Sequence, residues 1–243
     1  MFKDKIAIVT GGMGALGKII VDKFAEEDMK VYIPSENIEK FREIFDNSET
    51  AIDGGGFKLR KIYCLHCDAL DEKSVQEFVS DVLKREGRID FLVNTIGGYH
   101  TKKNIVDMGS ELIDKMLNLN FKSTFYFCKY VLKSMIEKNF GRIAAIGAMP
   151  ALEVTPGKLA YSISKSNVVN LIQTIAEETK EFNITANAVI PSIIDTSANR
   201  QSMAKEDFSK WVKSEDIAET ILFLLSDSAK SFRGNVIKMY GKV

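Results

Sequence analysis

Strand-like apolar runs alternate with helix-length amphipathic segments along the whole chain, from Ile6 to Met239. That alternation is what a parallel sheet requires, because each strand needs a crossover segment to return the chain to the same end of the sheet. The strands read from the pattern are Ile6–Thr10, Lys30–Ile33, Lys58–Leu65, Phe91–Thr95, Gly141–Ile146, Ile184–Ile190 and Val236–Met239. Helices are expected near Leu16–Glu27, Ile38–Phe45, Ser74–Glu86, Ser110–Lys138, Tyr161–Glu181 and Ser214–Leu225. Several strands are apolar at consecutive positions, as in Ile6-Ala7-Ile8-Val9, which fits a sheet covered on both faces. The fold class is therefore α/β, a doubly wound parallel sheet of about seven strands with helices on both faces. At 243 residues the chain fits one domain, 1–243, since α/β units of this size commonly do not divide.

Two stretches break the rhythm. Asn47–Gly56 ends in Gly54-Gly55-Gly56 and is expected to form a surface loop. Ser192–Trp211 follows the sixth strand, at the carboxyl end of the sheet where open α/β folds bind ligands. It is long for a connector, so a substrate lid near 192–212 is expected.

Composition excludes several function classes. Lys plus Arg equals Asp plus Glu at 33 each, so no global field draws the chain to nucleic acid or to an anionic membrane. No apolar run approaches the roughly 18 residues of a membrane span. The sequence Met1-Phe2-Lys3-Asp4-Lys5 leads straight into a strand, and a cytoplasmic location is expected. Cys64, Cys67 and Cys128 are too few for a disulfide framework. Cys64 and Cys67 form a C-x-x-C around His66, a spacing used for metal or redox work. The second half of a zinc site is missing, however, and the segment alternates like a strand that buries its thiols. No metal is expected.

The first strand runs into Thr10-Gly11-Gly12-Met13-Gly14-Ala15-Leu16-Gly17 and then a helix. Glycines there allow a tight turn and close backbone approach, and the helix N-terminus offers N–H groups and a positive dipole end to a pyrophosphate. Ser35, followed by Glu36, stands after the second strand where an acidic residue is expected to hold an adenosine ribose. No Arg or Lys lies in either loop to grip a 2′-phosphate, and a carboxylate repels one, so NAD is favoured over NADP. Asp68 follows the third strand and can accept from an adenine amino group. Asn94-Thr95-Ile96-Gly97-Gly98 ends the fourth, where small residues admit the nicotinamide half of the cofactor.

Tyr161-Ser162-Ile163-Ser164-Lys165 begins the fifth long helix. Positions four apart share a helical face, so phenol and ammonium can serve one site. A free phenol titrates near 10, too high for proton exchange at neutrality, and a cation beside it is expected to lower that value. Lys165 can also bond the nicotinamide ribose hydroxyls. The helix around Phe125, Tyr126, Phe127, Tyr130, Val131 and Leu132 is apolar on several faces and is expected either to meet a second subunit or to be buried in a monomer.

The order TGxxxxxG, Asp68, N-x-x-G, a helix Asn, YxxxK and a proline strand end resembles the short-chain dehydrogenase/reductase family over nearly the whole chain. The resemblance implies a Rossmann fold, NAD(P), hydride transfer at nicotinamide C4 to a small-molecule substrate, and a homodimer or homotetramer. It implies Tyr161 as general acid/base, Lys165 as ribose anchor and pKa modulator, and Asn120 as holder of a proton-relay water. It places Gly11, Met13, Ala15, Leu16, Gly17, Ser35, Asp68, Asn94, Gly97, Tyr161, Lys165, Pro191 and Thr196 at the cofactor, the last two near the nicotinamide carboxamide.

Three positions depart from the family pattern. Ala15 replaces a glycine of the turn, Ser192 replaces the glycine after Pro191, and Ala148 stands where the family carries a catalytic serine. Neither Ser162 nor Ser164 is expected to substitute. Gly147-Ala148-Met149-Pro150-Ala151-Leu152, Thr155-Pro156-Gly157 and the segment from Asp195 to Trp211 resemble quinonoid dihydropteridine reductases, which also lack the serine. On that likeness the substrate is an electron-poor C=N group, against which Tyr99, Phe208 and Trp211 can stack, although Trp211 can equally anchor the lid. A general carbonyl or 3-oxoacyl reductase is the alternative. A catalytically silent dinucleotide-binding sensor or scaffold is the alternative of another class, against which stands the joint presence of Asn120, Tyr161 and Lys165.

Overall fold

Every residue of the first strand is buried, and its side chains divide between two cores. Ala7 and Val9 pack into one layer, Ile6 and Ile8 into the other. The strand is thus the centre of a three-layer sandwich, as its unbroken apolar run requires. The computed structural model describes residues 2–45, 50–52, 56–59, 61–100 and 102–243. Its elements are β1 (Ile6–Thr10), α1 (Ala15–Glu26), β2 (Lys30–Ser35), α2 (Glu39–Ile44), β3 (Thr50–Ile52), β4 (Gly56–Leu59), β5 (Ile62–His66), α3 (Glu72–Glu86), β6 (Phe91–Asn94), α4 (Ser110–Met116), α5 (Ser123–Lys138), β7 (Gly141–Ile146), α6 (Leu159–Glu178), β8 (Ile184–Pro191), β9 (Ile194–Asp195), α7 (Ser197–Ser202), β10 (Val212–Lys213), α8 (Ser214–Leu225) and β11 (Val236–Met239).

The main sheet runs β11-β8-β7-β6-β1-β2-β5-β4-β3. Its seven strands from β11 to β5 are all parallel, so the chain folds as a single Rossmann-like domain with helices on both faces. Strand order reverses between β1 and β6, and that switch point opens a crevice at the carboxyl ends of the strands.

Three expectations about elements are corrected. The strand expected over Lys58–Leu65 divides: β4 turns back and pairs antiparallel with β5. The loop expected at Asn47–Gly56 contains β3, which pairs with β4, while residues 46–49 and 53–55 lie outside the described residues. The single helix expected over Ser110–Lys138 is interrupted by a widened, π-helical turn at Leu117–Lys122. Widening frees carbonyls from the regular ladder, and two side chains take them up. Ser123 Oγ donates to the carbonyl of Leu119 (2.6 Å), and Thr124 Oγ1 to that of Asn120 (2.9 Å).

The segment 192–212 is ordered rather than irregular. β9 and β10 pair in parallel at its two ends, and α7 lies between them. Cys64 belongs to one core layer and Cys67 to the other, so the C-x-x-C thiols point to opposite faces of the sheet. No helix among the described residues is long and apolar enough to cross a membrane.

Candidate active site

The turn after β1 is built by its glycines. Gly11 has φ of +67°, a region costly for any residue with a Cβ. Gly17 lies so close to Gly11 that an added Cβ would collide with the carbonyl oxygen of Gly11. α1 therefore starts hard against β1, and no side chain caps its N-terminus at Gly14. Uncapped N–H groups at a helix start, with Met13, Ala15 and Leu16 around them, fit a pyrophosphate.

At the end of β2, Ser35 is buried and its Oγ accepts from the backbone N–H of Asn37 (3.0 Å). Glu36 is exposed and lies beside Asp68, and that neighbouring carboxyl raises the Glu36 carboxyl above its ordinary range. The sequence reading took these two carboxyls separately; the parallel pairing of β2 with β5 brings them together. Such a pair of carboxyls can accept from the O–H groups of a ribose.

Asn94 is turned inward. Its Oδ1 accepts from Thr10 Oγ1 (3.4 Å) and its Nδ2 reaches Cys128 Sγ (3.6 Å), so the side chain ties the ends of β1 and β6. Thr10 also accepts from the backbone N–H of Thr95 (3.2 Å), which sets the path toward Gly97. A Cβ on Gly97 would stand 2.7 Å from Asn120 Oδ1 and 2.8 Å from Lys165 Nζ. Gly97 is thus the gap through which both side chains face the strand end.

Asn120 is fully buried within the widened turn. Its Oδ1 accepts from the backbone N–H of Gly98 (2.9 Å), and its Nδ2 donates to the carbonyl of Gly98 (3.1 Å) and to Ser164 Oγ (2.9 Å). Ser164 in turn donates to the carbonyl of Tyr161 (2.8 Å). Asn120 therefore clamps the Gly98 loop to the tyrosine helix, a link through Ser164 that spacing alone does not reveal.

Tyr161, Lys165, Gly97, Leu16, Pro191 and Ala148 open onto one cavity of about 540 Å³ at the switch point. Lys165 Nζ donates to the carbonyl of Ile146 (2.9 Å), and burial pulls its ammonium down to about 8. Burial, reinforced by Tyr99, pushes the Tyr161 phenol up to about 12. The sequence reading expects the ammonium to lower the phenol. Burial acts in the opposite direction and raises it. Burial thus favours the protonated form of the Tyr161 phenol.

Ala148 presents a methyl group to the cavity. The other small hydroxyls there are spent: Thr95 Oγ1 donates to the carbonyl of Thr10 (2.6 Å), and Ser192 Oγ to that of Tyr240 (2.8 Å). Thr196 lies outside this lining and caps α7, accepting from the N–H of Asn199 (3.2 Å). Of the three aromatics expected to stack on a substrate, only Tyr99 lines the cavity. Trp211 is buried and packs on Phe208 with ring centroids 4.8 Å apart, so it anchors the segment.

The family model described as short chain dehydrogenase matches residues 5–207. The chain belongs to the short-chain dehydrogenases. It is accordingly an NAD(P)-dependent oxidoreductase. A 7alpha-hydroxysteroid dehydrogenase from Bacteroides fragilis is 29% identical over 99% of this chain and 94% of that protein. The 3-oxoacyl-(acyl-carrier-protein) reductase FabG of Thermotoga maritima is 29% identical over 98% of this chain and 96% of its own. Among solved structures, ElxO with NADP bound superposes with a TM-score of 0.86 at 27% identity, covering 98% of each chain.

Proposed function

We propose that this short-chain dehydrogenase is a reductase that adds hydride to a C=O or C=N carbon while Tyr161 protonates the adjoining heteroatom. The observation that carries the reading is the shared cavity in which a protonated Tyr161 and Lys165 face the strand ends. The cofactor, when bound, supplies the hydride from its dihydronicotinamide. Gly11, Met13, Ala15, Leu16 and Gly17 hold its pyrophosphate, Glu36 with Ser35 the adenosine ribose, Asp68 the adenine end, and Lys165 the second ribose. Gly97 and Pro191 border the nicotinamide half, Thr196 caps α7 beside it, and Asn120 keeps the Gly98 loop and the tyrosine helix in register. The segment 192–212, fastened by its β9–β10 pair, covers the substrate. The outward-facing Phe125 and Ile136 on α5 support the expected homo-oligomer.

Two substrate classes remain in play, each with a supporting observation. Ala148 offers no second donor, which suits an electron-poor imine such as a quinonoid dihydropterin, and Tyr99 supplies an aromatic wall. The names of the similar proteins support a carbonyl compound instead.

NADH and NADPH oxidation, measured with quinonoid dihydrobiopterin beside a panel of ketones, tests the proposal. NADH is expected to be favoured by about tenfold or more, because the Glu36–Asp68 pair repels a 2′-phosphate. Equal use of NADPH would remove the assignment of that pair. Tight NADH binding with no substrate turned over would favour the silent sensor.

The pH profile follows from the same two groups. Reduction needs the phenol protonated and is expected to be flat through neutrality, falling as Lys165 loses its charge above about 8. Oxidation needs the phenolate, whose population below about 12 rises with every pH step. Initial rates in both directions across the range check this, and an oxidation rate that declines as pH rises would contradict it.

A further inference from the structure

The cavity holds two cations that neither the pyrophosphate turn nor the Tyr161–Lys165 pair uses. Lys102 and Lys158 both line it, together with Tyr99 and Tyr161, and no carboxylate does. They come from distant parts of the chain. Lys102 lies in the loop after β6, and Lys158 is the N-cap residue of α6, just ahead of Tyr161.

The backbone fixes their meeting. The N–H of Lys103 donates to the carbonyl of Gly157 (2.9 Å). Gly157 has φ of +77°, and an added Cβ there would stand 3.0 Å from Lys102 Cβ. The turn before α6 is therefore clasped against the stem of Lys102. On the other side, Lys158 Nζ sits 5.6 Å from the centre of the Tyr99 ring, and that ring meets Tyr161 edge-on at 5.2 Å. The order along the wall is phenol, aromatic ring, ammonium.

Lys102 is exposed and Lys158 half-buried, so the cost of the arrangement falls on Lys158. Burial and then repulsion from Lys102 pull the Lys158 ammonium below its ordinary range, and no carboxylate contributes. Among the described residues neither ammonium forms an ion pair, although Lys5, Lys18, Lys23, Lys30, Lys61 and Lys129 all do. No side chain caps α6, so its positive dipole end adds to the same field. Two like charges held together in a catalytic cavity are the arrangement expected where the missing partner is a ligand.

Resting on the reductase reading, we propose that the substrate is a carbonyl compound bearing a carboxylate or phosphate, and that Lys102 and Lys158 bind that anionic group while Tyr161 faces the reducible bond. The anion accounts for substrate selection in a site whose Ala148 gives up a hydrogen bond at the reacting group. It also distinguishes the substrate from a neutral steroid or a neutral pterin ring.

The test uses matched pairs with NADH: acetoacetate against methyl acetoacetate for a carboxylate, and dihydroxyacetone phosphate against dihydroxyacetone for a phosphate. The readout is the ratio of kcat/KM within each pair, which cancels any loss of folded enzyme. Wild type is expected to favour one anion by about 10- to 100-fold, the range for charged hydrogen bonds, and the preferred pair identifies the source. In Lys102→Gln with Lys158→Gln the ratio is expected to fall toward one. Lys158→Arg, which keeps the charge, is expected to retain most of it.

Calorimetric binding of the reduced products to the NADH complex, 3-hydroxybutyrate against its methyl ester and glycerol 3-phosphate against glycerol, reads the same discrimination without turnover. Anion-selective binding without reduction of any ketone would leave the lysine site standing and sink the reductase reading. Turnover with a ratio near one, or a ratio that the glutamine variants do not change, would overturn the lysine site alone.

Discussion

Tyr161→Phe is expected to lower the rate of reduction by about 10²- to 10⁴-fold, the usual worth of a positioned proton donor, while leaving NADH affinity within about twofold. The hydroxyl is the only part removed. The ring keeps its edge contact with Tyr99 at 5.2 Å, so packing of the α6 N-terminus persists. The backbone carbonyl of residue 161 still accepts from Ser164 Oγ, and Asn120 still holds the Gly98 loop. The loss therefore falls on kcat. Stopped-flow single turnovers with NADH, beside fluorescence titration of the cofactor, separate chemistry from binding. Retention of more than about a tenth of the wild-type rate would show that water or another side chain protonates the product.

The second large effect is expected at Gly17. Any side chain there collides with the carbonyl of Gly11, and a backbone atom cannot swing aside as a side chain does. Gly17→Ala must lift α1 away from β1, which costs about 1–3 kcal/mol as an overpacked contact. It also moves the uncapped helix start away from the pyrophosphate, and NADH affinity is expected to fall by about 100-fold or more. Gly14→Ala is the control: its φ of −79° suits any residue, and the added Cβ approaches the Gly11 carbonyl only to 3.2 Å. Thermal unfolding and cofactor titration on the two variants should diverge. Equal behaviour would mean that the turn is soft and that its glycines do not set the helix position.

The parallel sheet was legible because each of its strands is buried on both faces, leaving apolar runs that composition alone makes visible. The β3–β4 hairpin was not, because strands of three and four residues carry no such run, and the chain through Lys58–Leu65 reads as one strand until the antiparallel reversal is seen. The positions of Tyr161 and Lys165 followed from helical spacing, but their proton affinities did not. Those depend on how much water the cavity excludes, which is a property of the packed protein. Asn94 shows the converse: a polar residue at a strand end reads as a ligand contact, yet Thr10 and Cys128 turn it inward. Lys102 and Lys158 belong to no motif, and only the Lys103–Gly157 clasp brings them together.

The widened turn at Leu117–Lys122 has a consequence for the long helix that contains it. A regular helix advances about 100° per residue, so every position along a straight rod is locked in phase with every other. Here α4 packs against α6 while α5 packs chiefly against α3, two neighbours in the same helix layer on one face of the sheet. The inserted residue works as a phase shifter between them. It lets the lower half of the rod mesh with α3, while Asn120, at the joint itself, keeps its own bearing toward the Gly98 loop. Deleting one residue from the turn would lock the two halves into a common rotation, and the rod could then satisfy one neighbour only by turning away from the other.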